Sequence, residues 1–326
     1  MDFRTKIGIP KPGLQISHKS RILMFGSCFI ENVGRLLIDN KFNANLNPFG
    51  VLYNPQWISR ALQRLIDEQK FTDNDIFEYK GLYHSFYHHS SFSHYDKEQC
   101  LDQINSRFGQ ASDDLRKADI LFVTFGSAYV FRNKESGKVV GNCHKLPAGR
   151  FDRYRLSVED IVEDWCSLLK RLKEINPMLQ VVFTVSPVRH LKDGAHDNQL
   201  SKSVLLLAID ELCKPDKSTY YFPSYEIVMD ELRDYRFYNE DMVHPDSVAV
   251  RYIWERFAET YMPEETHVII EEWRKIFSAL NHRPLHVDSE EYKFFLRQTL
   301  LKLTAFDEKY PYICCEDEIS DIKNRI

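Results

Sequence analysis

Long hydrophobic runs are missing from this sequence of 326 residues. No apolar segment approaches the ~20 residues that a membrane-spanning helix needs. Residues 1–13 also lack the apolar core of a signal peptide. We therefore expect a cytoplasmic protein that does not have a membrane as its partner.

An excess of charge of one sign is missing as well. The chain has 43 basic and 48 acidic residues, well mixed along its length, and a formal net charge of -5. Domains that bind nucleic acids carry a basic patch or stripe that contacts the phosphates. The absence of such a patch argues against a nucleic-acid partner.

Cysteine occurs seven times, but in neither of the two patterns that would define a site. An odd number at irregular spacing is not typical of a disulfide framework, and without a CxxC pair there is no zinc signature. Reduced thiols in an intracellular protein are the default. These residues therefore predict no metal and no cofactor.

What is present is an alternation of apolar strands with helices. Apolar runs lie near residues 21, 119, 180 and 219, with a weaker one near residue 42, and segments of helical periodicity separate them. This order is typical of an α/β domain with a parallel, doubly wound sheet. Ligand sites in such sheets lie beyond the carboxyl ends of the strands. Four loops are predicted to meet there, formed by residues 26–27, 126–127, 186–189 and 241–244.

Other regions depart from this alternation. Residues 72–110 are dense in histidine and aromatic side chains, which predicts a hairpin or an insertion outside the main sheet. Residues 127–156 are expected to form a long irregular loop, and such loops usually have a function. After residue 262 helical periodicity continues without a strand. We therefore expect a sheet domain over residues 1–262 and a helical C-terminal extension over residues 263–326.

Ser27 lies between the first apolar run and a helical segment that begins with Phe29 and Ile30. This pattern predicts a strand, a sharp turn and a helix. The N–H groups and the dipole of a helix start favour negative charge, so a serine nucleophile there has a site for its oxyanion. A serine in this position is more commonly just an N-cap. The neighbouring Cys28 is expected to pack beneath the turn as a small apolar residue.

Asp241 and His244 form the second informative element, directly before Pro245 and a helix. A residue before proline is pushed out of the α region, which places His244 on the loop. A turn can bring the Asp241 carboxylate to one imidazole nitrogen, which fixes the tautomer. The other nitrogen is then free to take a proton from a hydroxyl. The alternative is that both residues only cap the helix.

Together, Ser27 after the first strand and Asp-x-x-His-Pro after the last one resemble the SGNH (GDSL-like) hydrolase superfamily. More narrowly, Phe-Gly-Ser-Cys-Phe-Ile at residues 25–30 resembles the signature of the GSCFA family, with Ile30 in place of its alanine. The resemblance covers roughly residues 5–305. Further stretches that resemble the family are residues 47–50, 53–55, 141–145 and 282–284.

This resemblance implies a three-layer α/β/α, flavodoxin-like fold and hydrolase chemistry. It implies that Ser27 is the nucleophile, that His244 is the general base and then the acid, and that Asp241 orients His244. The Ser27 N–H would be one oxyanion donor, and Gly50 matches the position of a second. No cofactor is implied.

The sequence departs from the superfamily pattern at the third oxyanion donor. Ala128 stands where the pattern has an asparagine. Loss of one such donor lowers a rate by about 100–1000-fold. Asn142 is our candidate substitute, and Ser127 is a weaker one.

Several histidines and one arginine are further candidates. The cluster at residues 84–94 suggests a metal site, but its extended character and the lack of a convincing ligand set argue against one. We predict instead that His89 contacts the substrate. His144 and Arg189 lie on loops at the same sheet edge and are candidates to bind a polar or anionic group, with surface salt bridges as the alternative.

The sequence therefore predicts an SGNH-type serine hydrolase, an esterase or deacylase that forms an acyl-enzyme. The expected substrate is a small-molecule or glycan ester, with an O-acylated carbohydrate favoured by analogy with the superfamily. Because of Ala128, the alternative is a non-hydrolytic glycan- or ligand-binding protein on a degenerate SGNH scaffold. A third hypothesis is a histidine-dependent metalloenzyme.

Overall fold

The computed structural model describes residues 4–215 and 217–326. A five-stranded sheet forms its centre, and two smaller sheets of two and three strands lie outside it. The strands are β1 (Arg21–Gly26), β2 (Asn43–Leu46), β3 (Phe77–Tyr79), β4 (Leu82–His84), β5 (Ile120–Phe125), β6 (Tyr129–Asn133), β7 (Val139–Val140), β8 (Phe151–Arg155), β9 (Gln180–Val185) and β10 (Thr219–Tyr221). The helices are α1 (Cys28–Asp39), α2 (Pro55–Ile66), α3 (Lys97–Lys117), α4 (Val158–Ile175), α5 (Ala195–Cys213), α6 (Ser224–Glu226), α7 (Ser247–Tyr261), α8 (Glu264–Leu280), α9 (Glu290–Lys309) and α10 (Glu316–Arg325).

The strands of the central sheet are all parallel, in the order β2-β1-β5-β9-β10. This is the strand order of flavodoxin-like folds, in which the chain begins near the middle of the sheet and winds outwards in both directions. The predicted α/β class, with its parallel sheet and helical C-terminal region, is confirmed.

Side chains of β1 point alternately into two separate cores. Leu23 and Phe25 pack with α2, α3, α4 and α5 on one face of the sheet. Ile22 and Met24 pack with α1 and α7 on the other face. Because helices cover both faces, the central strands need apolar residues at successive positions. This is why continuous apolar runs identify these strands in the sequence.

Residues 127–156 contain a small antiparallel sheet instead of the irregular loop that the sequence predicts. In this sheet β6 pairs with both β7 and β8. The predicted hairpin is present as β3 and β4, and Phe77 and Phe86 of that region pack with Phe151 of β8. Exposed charged residues on β6 and β8, such as Arg132 and Arg155, conceal these strands in the sequence.

The helix α3 spans 21 residues in a region for which the sequence interpretation has no helix. That interpretation assigns residues 72–110 to a hairpin or an insertion outside the main sheet. The helical signal is nevertheless present, because Cys100, Ile104, Phe108 and Leu115 are buried at helical spacing.

The helices α8, α9 and α10 share a third core, which contains Trp273, Leu296 and Leu303. Trp273 Nε1 also donates a hydrogen bond to Asp39 O, at the end of α1, at 2.6 Å. This contact joins the C-terminal helices to the sheet domain. No helix in the described part of the chain is long and apolar enough to span a membrane.

Candidate active site

Ser27 lies at the turn from β1 to α1, at the carboxyl edge of the sheet. Its backbone is extended, with φ -75° and ψ 177°, and its Oγ accepts a hydrogen bond from Phe29 N–H at 3.3 Å. Ser27 is therefore the N-cap of α1. It is also nearly covered, since only 3 % of the residue is exposed.

Gly26 allows this turn to form between two neighbouring strands. A Cβ atom on Gly26 would lie 2.7 Å from both Cβ and O of Thr124 on β5, so no larger residue fits. On the other side, the Gly26 N–H donates to Asn47 Oδ1 at 2.9 Å. Asn47 directly follows β2, and its own N–H donates to Met24 O. Both neighbouring strands thus hold the residue that precedes Ser27.

Asp241 and His244 form one turn before α7. Asp241 Oδ1 accepts hydrogen bonds from Val243 N–H at 2.9 Å and from His244 N–H at 3.0 Å. Its Oδ2 lies 2.6 Å from His244 Nδ1. Met242, inside the turn, has φ 56°, a left-handed conformation that is unusual for a residue with a side chain. The side chains of Asp241 and His244 are 50 % and 44 % exposed.

These hydrogen bonds make Asp241 a strong acid. The His244 N–H, the Val243 N–H and the His244 ring together lower the pKa of the Asp241 carboxyl to about 2. Because the carboxylate only accepts hydrogen bonds, a neutral His244 ring carries its proton on Nδ1. Nε2 is then the basic nitrogen, and it has no hydrogen-bond partner among the described residues. The pair can therefore take a proton at Nε2.

Arg189 ties this turn to the loop after β9. Its N–H donates to Val243 O at 3.3 Å, and its guanidinium donates to Met242 O. The guanidinium also lies 4.5 Å from the ring centre of Tyr238 and 5.1 Å from that of Tyr235. Through these contacts Arg189 positions the turn. That Arg189 binds a substrate group stays a prediction.

His190 connects the His244 turn with the neighbourhood of Tyr53. Burial, together with Lys202 and His244, lowers the pKa of His190 to about 4. Its ring centre lies 6.0 Å from that of Tyr53. Within residues 4–215 and 217–326, no hydrogen bond joins Ser27 Oγ directly to His244 Nε2.

Gly126 places Tyr53 beside Ser27. The Gly126 N–H donates to Tyr53 O at 2.7 Å. A Cβ atom on Gly126 would lie 2.8 Å from Tyr53 Cβ and 3.4 Å from Ser27 Cβ. Both side chains therefore begin next to the space that a side chain on Gly126 would fill, and they are close neighbours because that glycine has none.

Two backbone N–H groups at this edge already have partners inside the protein. The Gly50 N–H, which the superfamily pattern makes an oxyanion donor, donates to Asn47 O at 2.7 Å. The Ser127 N–H donates to Tyr53 O at 3.0 Å. Either group must exchange its present partner before it can bind an oxyanion.

The side chains after β5 are also engaged or buried. Ser127 Oγ accepts a hydrogen bond from Tyr129 N–H at 3.1 Å and lies 3.3 Å from Ser201 Oγ. Ala128, which stands at the position of the superfamily asparagine, is completely buried. The side-chain oxyanion donor that the pattern expects from this loop is therefore absent from it.

Asn142 lies in the loop after β7. Its Oδ1 accepts a hydrogen bond from His144 N–H at 2.8 Å. Its Nδ2 donates to Ser90 Oγ at 3.4 Å, which is a long and weak hydrogen bond. Asn142 stays our sequence-based prediction for a substitute donor, since its amide is only weakly held.

His89 and His144 pack near the β3–β4 hairpin. The His89 N–H donates to Phe49 O at 2.9 Å, and its Nδ1 accepts from Ser91 N–H at 3.3 Å. His144 Nε2 lies 2.7 Å from Ser85 O, and burial lowers the pKa of His144 to about 4. A neutral His144 supplies no positive charge for an anion. Contact of either residue with a substrate stays a prediction.

The remaining histidines of this region have structural partners. His84 Nδ1 lies 2.7 Å from Ser93 Oγ, and the His88 ring stacks on Phe49 with a centre-to-centre distance of 4.9 Å. Burial lowers the pKa of His88 to about 3, so this residue is neutral. No group of three or more His, Cys, Asp or Glu side chains in the described ranges is arranged to hold a metal ion.

Lys202 is a buried residue of the site that sequence reasoning misses. It is 1 % exposed, and its Nζ donates to Gly126 O at 2.7 Å and to Ser186 O at 2.6 Å. Lys202 thus links the carboxyl ends of β5 and β9. Burial lowers the pKa of Lys202 to about 7. The sequence does hold a signal, because Lys202 lies on the buried stripe of α5 with Leu205.

Cys28 is the first residue of α1 and is half-buried. It packs against the core that α1 and α7 share. Burial, and then the nearby Glu31, raise the pKa of the Cys28 thiol. Since the thiolate is the nucleophilic form, this environment disfavours Cys28 as a nucleophile.

Two solved structures resemble this chain at low identity. A protein from Parabacteroides merdae ATCC 43184, described as a GDSL-like lipase, has 15 % identity and a TM-score of 0.35 over 77 % of this chain and 98 % of its own. The acetyl xylan esterase Est2A from the rumen bacterium Butyrivibrio proteoclasticus has 14 % identity and a TM-score of 0.35 over 78 % of this chain and 64 % of its own. No curated protein matches the sequence.

Family models give a direct assignment. The model of the GSCFA family matches residues 21–257, which include Ser27, Asp241 and His244. A second model, described as the C-terminal domain of GSCFA domain proteins, matches residues 273–326. Because the first match alone spans more than half of the chain, this protein belongs to the GSCFA family.

Proposed function

We propose that this protein is a serine hydrolase that cleaves an ester through an acyl-enzyme on Ser27. The observation that carries the proposal is the Asp241–His244 pair, in which Nδ1 lies 2.6 Å from the carboxylate. A histidine oriented in this way, with its second nitrogen free, is the general base of serine hydrolases. The loop after β9 ties this base to the edge of the sheet at which Ser27 lies.

In the proposed reaction, Ser27 Oγ forms a bond to the ester carbonyl carbon while its proton passes to His244 Nε2. The carbonyl electron pair moves to the oxygen, which becomes an oxyanion. When the carbonyl re-forms, the bond to the alcohol breaks and His244 returns the proton to the leaving oxygen. Water then repeats these steps on the acyl-enzyme. Asp241 remains a carboxylate and keeps His244 in the required tautomer.

The substrate class that we favour is a neutral O-acylated carbohydrate. Tyr53, Tyr129 and Tyr154 are half-buried around this edge. Tyrosines combine an apolar ring with a polar tip, which suits the faces and hydroxyls of a sugar. The acyl group and the sugar would then be recognised mainly by rings and neutral hydrogen bonds.

Hydrolysis of p-nitrophenyl acetate, with covalent labelling by a fluorophosphonate, tests this proposal. We expect the wild-type protein to turn over the ester and to be labelled at Ser27. Ser27→Ala should lose the label and at least about 1000-fold in kcat, because the nucleophile is gone. The matched control is Cys28→Ala, next to Ser27, which should keep both activities.

Two results would contradict the proposal. One is a wild-type protein that neither hydrolyses the ester nor accepts the label. The other is a Ser27→Ala variant with full activity, since the hydrolysis would then have another origin. Circular dichroism of both variants should match that of the wild type.

A second candidate function is ligand binding without hydrolysis. It is favoured by the nearly covered Ser27 hydroxyl, which caps α1 through Phe29 N–H, and by Ala128 in place of an oxyanion asparagine. Saturable binding of an acetylated oligosaccharide, without turnover and unchanged in Ser27→Ala, would support this function. Turnover of the same oligosaccharide would exclude it.

A further inference from the structure

Tyr53 is fixed next to Ser27 by its backbone. Its carbonyl oxygen accepts hydrogen bonds from Gly126 N–H at 2.7 Å and from Ser127 N–H at 3.0 Å. The next residue, Asn54, is the N-cap of α2 and accepts from Trp57 N–H at 2.8 Å. Tyr53 is therefore held between the end of β5 and the start of α2.

The Tyr53 side chain leaves the backbone on the side of the candidate nucleophile. Its Cβ and that of Ser27 lie within 3.4 Å of the same point above Gly126. Its ring centre lies 6.0 Å from that of His190, and the two rings are tilted by 35°. Since His190 lies next to Arg189, which binds the His244 turn, the Tyr53 ring approaches the loop that holds the base.

The Tyr53 hydroxyl is a donor without a partner in the described part of the protein. Burial, and then the nearby Cys143, raise the pKa of this phenol, so it keeps its proton at neutral pH. A protonated phenol in a partly buried position normally finds an acceptor. The Gly50 and Ser127 N–H groups, in contrast, are already bonded within the protein.

We propose that the Tyr53 hydroxyl donates a hydrogen bond to the oxyanion that forms when Ser27 attacks the ester. This inference rests on the proposed function. The phenol supplies the donor that Ala128 cannot supply. It keeps its own proton throughout, while the serine proton moves to His244 and then to the leaving alcohol. Tyr53 is thus a catalytic residue that stabilises developing charge.

The variant Tyr53→Phe removes the hydroxyl and keeps the ring that lies next to His190. We expect kcat for p-nitrophenyl acetate to fall by about 100-fold, with KM changed by less than about 3-fold, because the lost contact acts in the transition state. The rate of fluorophosphonate labelling at Ser27 should fall by a similar factor. The melting temperature should stay close to that of the wild type, since the fold keeps the aromatic ring.

Two variants complete the experiment. Tyr312→Phe is the matched control, because Tyr312 lies between α9 and α10 and has no part in the proposal. It should keep full activity. Asn142→Ala removes the rival side-chain donor. A loss in this variant, with an unchanged Tyr53→Phe, would assign the donor to Asn142 and overturn the inference.

The outcomes separate this inference from the proposed function. If the wild-type protein is labelled at Ser27 and Tyr53→Phe is labelled equally fast, the inference is wrong while the hydrolase proposal stands. If the wild-type protein neither turns over the ester nor accepts the label, both are wrong. If Tyr53→Phe melts well below the wild type, Tyr53→His serves as a second variant, because it restores a side-chain donor. This variant must then recover part of kcat. If it does not, the inference fails.

Discussion

The two turns that carry the candidate catalytic groups are built in different ways. The Ser27 turn lies between β2 and β5, is almost fully buried, and depends on a glycine that no larger residue can replace. The Asp241–His244 turn has both side chains about half exposed. It is held by short-range hydrogen bonds and by the guanidinium of Arg189.

This difference indicates at which of the two turns a substitution can change activity without changing stability. Packing of the sheet determines the position of Ser27, so changes around it should alter stability and activity together. Hydrogen bonds on an exposed surface determine the position of His244, so changes there should alter activity while the fold stays intact. Exposed interactions of this kind contribute little to the free energy of unfolding.

The largest effect is expected for Asp241→Asn on the exposed turn. Asparagine still accepts the two backbone N–H groups, so the turn should persist. Its amide, however, presents a donor to His244 Nδ1, which moves the imidazole proton to Nε2 and blocks proton transfer from Ser27. We expect kcat to fall about 1000-fold without a change in melting temperature, measured by ester hydrolysis and calorimetry.

The control for this variant is Asp234→Asn. Asp234 is also exposed and also accepts a backbone hydrogen bond, from Arg236 N–H at 2.9 Å, but it does not touch His244. It should retain full activity. A loss of less than about 10-fold in Asp241→Asn would mean that the turn does not orient the base.

A smaller effect on activity, accompanied by a loss of stability, is expected for Gly126→Ala on the buried turn. Its added methyl group would lie 3.4 Å from Ser27 Cβ but only 2.8 Å from Tyr53 Cβ, so Tyr53 must move. Overpacking of this kind destabilises a fold by about 1–3 kcal/mol, which urea denaturation measures. Gly149→Ala is the control, because nothing lies within 4 Å of its added methyl group. If Gly126→Ala lost activity but no stability, the contrast between the two turns would fail.

The smallest effect is a change of stability with pH that comes from Lys202 beneath the buried turn. Burial lowers the pKa of Lys202 from 10.5 to about 7, so the unfolded chain binds more protons than the folded one between these values. The folded state is therefore stabilised as the pH rises above 7, and this contribution is lost as the pH falls through 7. Relative to Lys202→Met, the free energy of unfolding should increase by about 2 kcal/mol between pH 7 and pH 9.

Urea denaturation of both proteins at the two pH values measures this difference, because titration of all other groups is common to them. A constant gap between wild type and Lys202→Met would mean that Lys202 stays charged in the folded protein. The Asp241 carboxylate of the exposed turn, which is already ionised well below neutral pH, should contribute nothing in this range.

The sequence predicts the central strands and the two chemical turns for physical reasons. Strands covered on both faces need apolar residues at nearly every position, as in β5, and a run of that length bounded by turn residues predicts a buried strand. Ser27 and the Asp241–His244 pair follow from short-range geometry, since an N-cap, a residue before proline and a spacing of three act over a few residues. The contact between Asp241 Oδ2 and His244 Nδ1 is the one that this spacing predicts.

The remaining features depend on contacts that are distant along the chain. Lys202 resembles a surface lysine in the sequence, and only its carbonyl partners directly after β5 and β9 show that it supports the site. Tyr53 is one of 17 tyrosines, and it is distinguished only by the glycine that brings it to Ser27. Arg189 looks like an anion-binding residue, yet its partners are a carbonyl group and two aromatic rings.

The engagement of Arg189 has a consequence for how ligands reach the protein. The Arg189 guanidinium is bound to the His244 turn. Arg153, close to His190, forms an ion pair with Asp193 in which Nη2 and Oδ2 are 2.6 Å apart. His144 and His190 are neutral at physiological pH. A neutral ester, as proposed for the substrate, has no net charge for these residues to attract, so it would arrive by unassisted diffusion, at a rate nearly independent of ionic strength.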